Sequence, residues 1–401
     1  MKLLKRVFLL VVFIGLVFCP VAQAETEAES DREDEGQPGE KTVEHVIFIS
    51  AGGLSEERIK SAYTPSLNGM AAGGLKAAAV GVLPTNQAVL RASLLTGAAP
   101  DIHGFNENNR QIKTGLFPET VVRYGRSSVY VCPGESVFRG LFTGGGGVKT
   151  YTVKGGGNKD VITRAVSVFQ KEKPYFIGIE LPGIDSDLEG QGDSKKTAAI
   201  VNDIDAQLGR LLANLRSMGE FESSLIIFTG DYGVDAGTED SLTTKELTVP
   251  LVMAGPGLRA GMELPPVKIT DIVPTVSLLT GIQVSHECDG NVIWNAIAPG
   301  SSFSEQNLMS KRIRDLSDEN LEITGMIYRL SEEKRLVKTE KEKVNREKAQ
   351  IQETIAARDR EIKSLKWKNM MLRLVEGVTV LVMGAGYVAE YYYLKKRFLM
   401  F

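Results

Sequence analysis

The chain has 401 residues, of which 43% are hydrophobic and 24% are charged, and this composition is ordinary for a folded protein. The length is sufficient for one sizeable core with additional segments. The formal net charge of −3 at pH 7 argues against a nucleic-acid-binding protein, because no strongly basic stripe or domain dominates the sequence.

Residues 1–24 predict a secretory signal peptide, because a basic start is followed by a long apolar run and a small-x-small exit. A lipoprotein signal around Cys19 is the weaker interpretation, since the bulky Phe18 precedes that cysteine. Cleavage would leave Cys132 and Cys288, which could pair in an exported protein or remain unpaired thiols.

Residues 25–43 begin with ETEAESDREDEGQPGE, an acidic stretch without large apolar residues, and predict a disordered linker. From residue 44 to about 300, apolar strand-like runs alternate with helix-like segments. The strand-like runs include HVIFIS, SSVYVC, YFIGIEL and SSLIIFT. The longest helix-like segment is the amphipathic KKTAAIVNDIDAQLGRLLANLRSMG. This alternation predicts an α/β domain over residues 44–300, with a mostly parallel sheet covered by helices on both faces.

Residues 303–371 carry a seven-residue apolar repeat that predicts a coiled-coil stalk. The repeat has a single break at Arg358, and its apolar positions are Met309, Leu316, Ile323, Leu330, Val337, Val344, Ile351, Leu365 and Leu372. The second seam mixes isoleucines with Lys334, Lys341 and Lys348. Lysines within a seam favour a low oligomer, so we expect self-association as a parallel homodimer. A solvated single helix is the alternative.

Residues 372–394 predict one transmembrane helix, and residues 395–401 a short basic cytoplasmic tail. The apolar stretch contains Glu376 and Glu390, yet it is long enough to cover ~30 Å of hydrocarbon. Three tyrosines and a basic cluster follow it, as at the cytoplasmic end of a membrane span. We therefore expect a single-pass protein of the cell membrane with its large domain outside the cytoplasm, periplasmic or extracellular. An interfacial amphipathic helix is the competing interpretation.

Several segments of the α/β domain resemble the alkaline phosphatase superfamily, especially its type I phosphodiesterase/nucleotide pyrophosphatase and sulfatase-like branches. HVIFISAGGL resembles the opening strand, and LPTNQAVLRASLLTGAAPDIHG resembles the nucleophile strand and helix. DLEGQ is similar to the Asp-x-x-Gly-His motif, and IIFTGDYG to the Asp-His-Gly motif. YTPSLNGMAAGGL, TVPLVMAGPGL and TDIVPTVSLLTGI match further helices and the closing strand. Seven segments in the family's order make the resemblance specific.

The resemblance implies two divalent metals, held by acids and histidines at strand ends beside a Ser, Thr or modified Cys nucleophile. Here the opening acid falls on Gly52, and the nucleophile falls on Gln87, whose amide cannot attack phosphorus. Thr85 lies two residues from the nucleophile position and could in principle substitute for it. The last histidine of the family falls near Asp289 in a loose alignment.

Asp187 and Asp231 are the two motif acids that this sequence clearly keeps, while their partner histidines fall on Gln191 and Tyr232. From the residues alone, Asp231 at the end of its strand could be a metal ligand, an acid/base or a turn cap. Carboxylates without imidazole suit Mg²⁺ or Ca²⁺ better than Zn²⁺. We expect Asp187 and Asp231 to lie close together in a pocket that is metal-free or binds Mg²⁺ or Ca²⁺ weakly.

These departures predict a catalytically inactive domain, a pseudoenzyme that acts in binding or scaffolding at the cell envelope, with an envelope protein or a glycan as its partner. An active phosphate- or sulfate-ester hydrolase with a remodelled site and a structural coiled-coil stalk protein are the alternatives. His45 and His103 are expected to be ordinary packing or surface histidines. Asp205, on a helix that packs against the sheet, is expected to make a capping or surface contact.

Overall fold

The computed structural model describes residues 42–83, 87–106, 111–134, 136, 142, 146–184, 194–231, 247–300 and 303–398. The predicted signal peptide and nearly all of the predicted acidic linker lie outside the described residues. The chain divides into two compact units, Met1–Met309 and Ser310–Phe401.

Nine strands form one sheet within the described part of the chain. They are β1 His45–Ala51, β2 Leu75–Val80, β3 Ser128–Pro133, β4 Lys149–Val153, β5 Phe176–Leu181, β6 Ser224–Gly230, β7 Thr248–Ala254, β8 Met262–Glu263 and β9 Val267–Lys268. Their order is β4-β3-β5-β1-β6-β7-β2-β8, and β9 also pairs with β2. β7 runs antiparallel to β6 and β2, whereas the other described pairs are parallel. The predicted mostly parallel sheet is confirmed.

The described α-helices are α1 Glu56–Lys60, α2 Pro65–Ala72, α3 Gln87–Thr96, α4 Pro100–His103, α5 Phe117–Arg123, α6 Asn158–Glu172, α7 Ser194–Ser217, α8 Ile272–Thr280 and α9 Glu305–Phe398. Short 3-10 helices span Ile269–Asp271 and Trp294–Ala296. Helix α7 lies where the amphipathic segment KKTAAIVNDIDAQLGRLLANLRSMG predicted a helix. Strand β4, which comes between β3 and α6, was not predicted.

Two apolar cores lie on opposite faces of the sheet. In β1, Val46 and Phe48 belong to one core and Ile47 and Ile49 to the other, because successive side chains of a strand point to opposite faces. Residues of α3, α5 and α8 fill the first core, and residues of α2, α6 and α7 fill the second. The prediction that helices cover both faces is therefore confirmed.

Asp205 of α7 caps the N-terminus of α2 from a distant part of the sequence. Its Oδ2 accepts a hydrogen bond from the backbone N–H of Ser66 at 3.0 Å, and its Oδ1 accepts one from Leu67 at 2.8 Å. Thr64, at the N-cap position itself, makes no side-chain capping bond. The expected capping role of Asp205 is confirmed, since it satisfies two backbone donors that the helix leaves unpaired.

Cys132 and Cys288 are free thiols in this structure. Cys132 is buried in β3, and the Cys288 thiol donates a hydrogen bond to the Gly97 carbonyl at 3.2 Å. Burial raises the pKa of each thiol to about 11. Both cysteines therefore remain protonated and unreactive near neutral pH.

Helix α9 is continuous across the predicted boundary between the coiled coil and the membrane span. It contains an 18-residue window of mean hydropathy 1.5, so it is long and apolar enough to cross a membrane. The apolar repeat is uncovered in the single chain, with Met309 and Ile351 each 60% exposed. Pairing through this repeat stays a prediction.

Candidate functional site

The candidate site lies at the edge of the sheet where β1, β5 and β6 end. β1 lies between the other two strands, and Ala51 pairs with Leu181 on one side and Gly230 on the other. Asp231 follows β6 directly, and its backbone N–H donates to the Ala51 carbonyl at 3.3 Å. Ligands of open α/β sheets bind outside the carboxyl ends of the strands, so Asp231 stands where the sequence predicted it.

The Asp231 carboxylate is 1% exposed, and protein donors occupy both of its oxygens. Oδ1 accepts the backbone N–H of Gly53 at 3.1 Å. Gly53 has a φ of 66°, a conformation that glycine adopts without steric cost. Oδ2 accepts the Arg91 Nε–H at 2.6 Å and also pairs with Nη2 of the same guanidinium.

Arg91 also joins Asp231 to a second carboxylate. Its Nη1 donates to Glu180 Oε1 at 2.6 Å. Glu180 Oε2 accepts the Ser136 hydroxyl at 2.5 Å and the Tyr130 hydroxyl at 3.4 Å. Arg91 is 4% exposed and Glu180 is 2% exposed, so Asp231, Arg91 and Glu180 form a buried triad.

Helix α3 brings Arg91 to this position. The helix begins at Gln87, and every residue from 89 to 96 is buried. Arg91 lies four residues after Gln87, about one helical turn further along the same face. The helix that resembles the family's nucleophile helix therefore delivers a cation to the strand ends.

Burial and the charge of Arg91 shift the pKa values of the two acids of the triad in opposite directions. Removal from water raises the pKa of the Asp231 carboxyl and of the Glu180 carboxyl, and the Arg91 guanidinium opposes both shifts. Burial beside Glu180 also raises the pKa of Tyr130, so its hydroxyl remains a donor. Arg91 itself stays charged, because a guanidinium is not deprotonated in proteins.

The described residues at this edge do not fit the pair of divalent metals that the family resemblance implies. Gly52 offers no side-chain ligand where the family has an acid. Its surroundings are tight: the Gly52 carbonyl accepts the Ile184 N–H at 2.8 Å, and a Cβ on Gly183 would lie 2.0 Å from that carbonyl oxygen. Both Asp231 oxygens already accept protein donors, one of them from a guanidinium. A metal bound there would have to share one oxygen with the Gly53 N–H or the other with the guanidinium, and in either case it would lie close to the positive charge of Arg91.

The other predicted site residues separate into two groups. Thr85, Asp187, Gln191 and Tyr232 lie outside the described residues, so the expected closeness of Asp187 and Asp231 stays a prediction. Asp289 is described, and its Oδ1 accepts the Ala99 N–H at 2.9 Å, at the N-terminus of α4. Burial raises the pKa of this carboxyl. Asp289 therefore caps a helix and does not belong to the triad.

Sequence reasoning missed Arg91 and Glu180, although each leaves a signal. Arg91 interrupts the apolar pattern of QAVLRASLLT, and Glu180 interrupts the buried strand YFIGIEL. Charged residues within runs that must be buried require partners of opposite charge. Together the two charged residues indicate a buried ion pair. The sequence does not indicate, however, that Arg91 and Glu180 contact each other.

Ser93 and His103 resemble a nucleophile with its base, but the ring nitrogen that faces Ser93 carries the proton. Ser93 Oγ lies 3.0 Å from His103 Nε2, and both residues are fully buried. The Phe105 backbone N–H donates to His103 Nδ1 at 3.0 Å, so the proton of the neutral ring is on Nε2. Nε2 therefore donates to Ser93 and cannot remove its proton. His103 is a packing histidine, as expected.

Comparisons with known proteins report the same family. The family of type I phosphodiesterases / nucleotide pyrophosphatases matches residues 147–260. Arylsulfatase K of Danio rerio is 31% identical over 115 residues, which cover 27% of this chain and 22% of that protein. Inner membrane protein YejM of Salmonella typhi is 32% identical over 95 residues, which cover 23% of this chain and 16% of that protein. The chain thus matches only about a fifth of the length of these relatives.

A solved structure shows the shared fold. Murine ectonucleotide pyrophosphatase / phosphodiesterase 5, as an inactive variant in complex with AMP, aligns with a TM-score of 0.52 at 13% identity, covering 63% of this chain and 98% of that chain. At this identity the likeness concerns the fold. Members of this superfamily usually bind metal ions. The family match, the related sequences and the fold together support the resemblance of the α/β domain to the alkaline phosphatase superfamily, including its phosphodiesterase and sulfatase-like branches.

Proposed function

We propose that the α/β domain is a non-catalytic member of this superfamily that acts in binding or scaffolding at the cell envelope. The buried triad carries the proposal. Arg91 supplies, at the strand ends, the positive charge that metals supply in active relatives. The guanidinium compensates the carboxylates without offering a vacant coordination position or a bound water.

The chemistry of ester hydrolysis supports the same conclusion. A two-metal site stabilises the attacking and the leaving oxygen together. This chain has Gln87 at the nucleophile position and Gly52 at the position of the first acid. A primary amide is not a nucleophile under these conditions, and glycine has no ligand atom. We propose that any metal bound near Asp187 and Asp231 is weakly held Mg²⁺ or Ca²⁺, because oxygen ligands suit these ions.

We also propose that α9 anchors the domain with the domain outside the cytoplasm. The apolar window of α9 supports a membrane span, and the similarity to an inner membrane protein agrees with it. The tyrosines at 391–393 and the cations at 395–397 favour a cytoplasmic C-terminus. The exposed heptad positions between Met309 and Ile351 favour a homodimer, since pairing would cover apolar side chains that are open in the single chain.

The test is turnover by the full chain in detergent. Aryl phosphate, aryl phosphodiester and aryl sulfate would be supplied with Mg²⁺, Ca²⁺, Mn²⁺ or Zn²⁺, beside an Asp231→Ala control. We expect the two proteins to give the same background rate with every substrate. Metal-dependent turnover that Asp231→Ala abolishes would overturn the proposal. It would establish instead an ester hydrolase with a remodelled site, the alternative that the family match over residues 147–260 supports.

A further inference from the structure

A group of side chains of metal-ligating types lies near the amino end of β1, apart from the triad at its carboxyl end. Glu44 and His45 lie at the start of β1, and Glu220 lies just after α7. One ligand atom from each residue lies within 4.8 Å of the other two. We refer to these three residues as the Glu44–His45–Glu220 cluster. β1 thus has the triad at its carboxyl end and this cluster at its amino end.

The surroundings of His45 fix which ring nitrogen faces the cluster. Nδ1 lies 2.7 Å from the Pro174 carbonyl, which only accepts, so Nδ1 carries a proton. The ring also packs edge-on against Phe169, with centroids 4.8 Å apart. The side chain is 9% exposed. A backbone carbonyl that accepts Nδ1–H and leaves Nε2 facing a carboxylate is an arrangement that orients metal-binding histidines.

The other ring nitrogen of His45, Nε2, faces the Glu220 carboxylate. Glu220 Oε2 lies 3.4 Å from Nε2, and in a neutral ring with its proton on Nδ1 each of these atoms presents a lone pair to the other. Glu220 Oε1 is engaged separately, because Lys173 Nζ donates to it at 2.5 Å. Two acceptors at this separation are compatible with a cation between them.

We propose that the Glu44–His45–Glu220 cluster binds one divalent cation of the zinc class. His45 Nε2 and one oxygen from each carboxylate supply three ligands, and water completes the coordination. An imidazole with two carboxylates suits Zn²⁺ better than Mg²⁺ or Ca²⁺, which prefer oxygen ligands alone. The ion ties the first strand of the domain to the segment between α7 and β6. This assignment replaces the expectation that His45 is an ordinary packing or surface histidine.

The test is Zn²⁺ binding by the full chain in detergent after treatment with a chelator, measured at pH 7.5 by calorimetry and by the thermal unfolding midpoint. We expect one Zn²⁺ per chain and a rise in the midpoint. His45→Asn keeps a donor near the Pro174 carbonyl but removes Nε2, so it should abolish both effects. Glu44→Gln changes an exposed side chain and should fold normally while weakening binding about tenfold or more.

Glu57→Gln is the matched control, because it removes the same charge from an exposed position on α1. It should bind Zn²⁺ as the unaltered chain does. Absence of Zn²⁺ binding in the unaltered chain would overturn the proposal and leave an imidazolium–Glu220 ion pair. Equal binding by the unaltered chain, His45→Asn and Glu44→Gln would also overturn it, because the ion would then lie elsewhere. Neither result depends on whether the domain is catalytic.

Discussion

The two ends of β1 place acidic side chains in contrasting surroundings. At the carboxyl end, Asp231 and Glu180 are buried around an arginine that belongs to the chain. At the amino end, Glu220 and Glu44 lie near a histidine ring whose Nδ1 faces the Pro174 carbonyl. In the first arrangement a buried guanidinium pairs with both acids, whereas in the second Lys173 pairs with one oxygen of Glu220 and the other oxygen faces the proposed cation site. The comparison shows that strand-end carboxylates in this fold can be compensated by an arginine of the same chain.

The largest expected effect comes from removing the internal counter-ion. Arg91→Met would leave Asp231 and Glu180 buried without their cation, and unfolding free energy should fall by about 3–5 kcal/mol. Because burial raises the pKa of both acids, protonation can relieve part of this cost at low pH. The loss should therefore be greater at pH 8 than at pH 5. Denaturant titration at both values measures it, with Lys60→Met as an exposed control. A loss below about 1 kcal/mol would contradict the counter-ion role.

His103 sharpens the comparison with His45, because its hydrogen-bond partners are the Ser93 hydroxyl and the Phe105 N–H rather than a carboxylate. Burial lowers the pKa of His103 from 6.5 to about 4, with Asp101 opposing. Between these values the unfolded chain binds a proton that the folded chain rejects. Stability should therefore be full above pH 6.5 and fall by about 3 kcal/mol as the pH drops to 4. His103→Asn should flatten this part of the curve of unfolding free energy against pH. An unchanged slope would assign the pH dependence to other groups.

Replacing each acid of the triad with its neutral amide should change stability by different amounts at the two positions. In Asp231→Asn, the side-chain N–H₂ group must face either the Gly53 N–H or the Arg91 guanidinium, and both of these groups are donors. The unfolding free energy should therefore fall by about 1–3 kcal/mol. In Glu180→Gln, the amide oxygen can still accept from Arg91. The new N–H₂ faces the Ser136 and Tyr130 hydroxyls, which can reverse and accept. Thermal unfolding should show a marked loss for the first variant and little change for the second. Equal losses would mean that charge, not donor geometry, decides.

The smallest expected effect concerns a carboxylate that needs no counter-ion because backbone donors satisfy it. Asp205→Ala should destabilise the domain by about 1 kcal/mol, the usual cost of a lost helix cap. Asp205→Asn keeps one acceptor oxygen and should cost less. Denaturant midpoints of the two variants give the comparison. If Asp205→Asn cost as much as Asp205→Ala, the charge rather than the capping hydrogen bonds would be the important feature.

The sequence by itself determined the features that depend on local pattern. Apolar runs alternating with amphipathic helices predicted the α/β sheet with two covered faces. A long seven-residue repeat followed by an apolar stretch predicted a helix where α9 lies. Asp205 on its packed helix was expected to make a capping or surface contact. Gln87 and Gly52 were identified by motif order, because the family resemblance is carried by short segments whose sequence survives.

Only the tertiary structure decided how charges are compensated. Arg91 contacts partners 140 and 89 residues away in the sequence, and no local periodicity encodes which buried acid meets which base. The antiparallel direction of β7 likewise depends on the path of the chain between strands, because a buried apolar run reads the same in either direction. For His45, the ring proton was decided by a carbonyl 129 residues away. The sequence shows which buried polar groups need partners. Only the folded structure shows which residues, distant in the sequence, provide them.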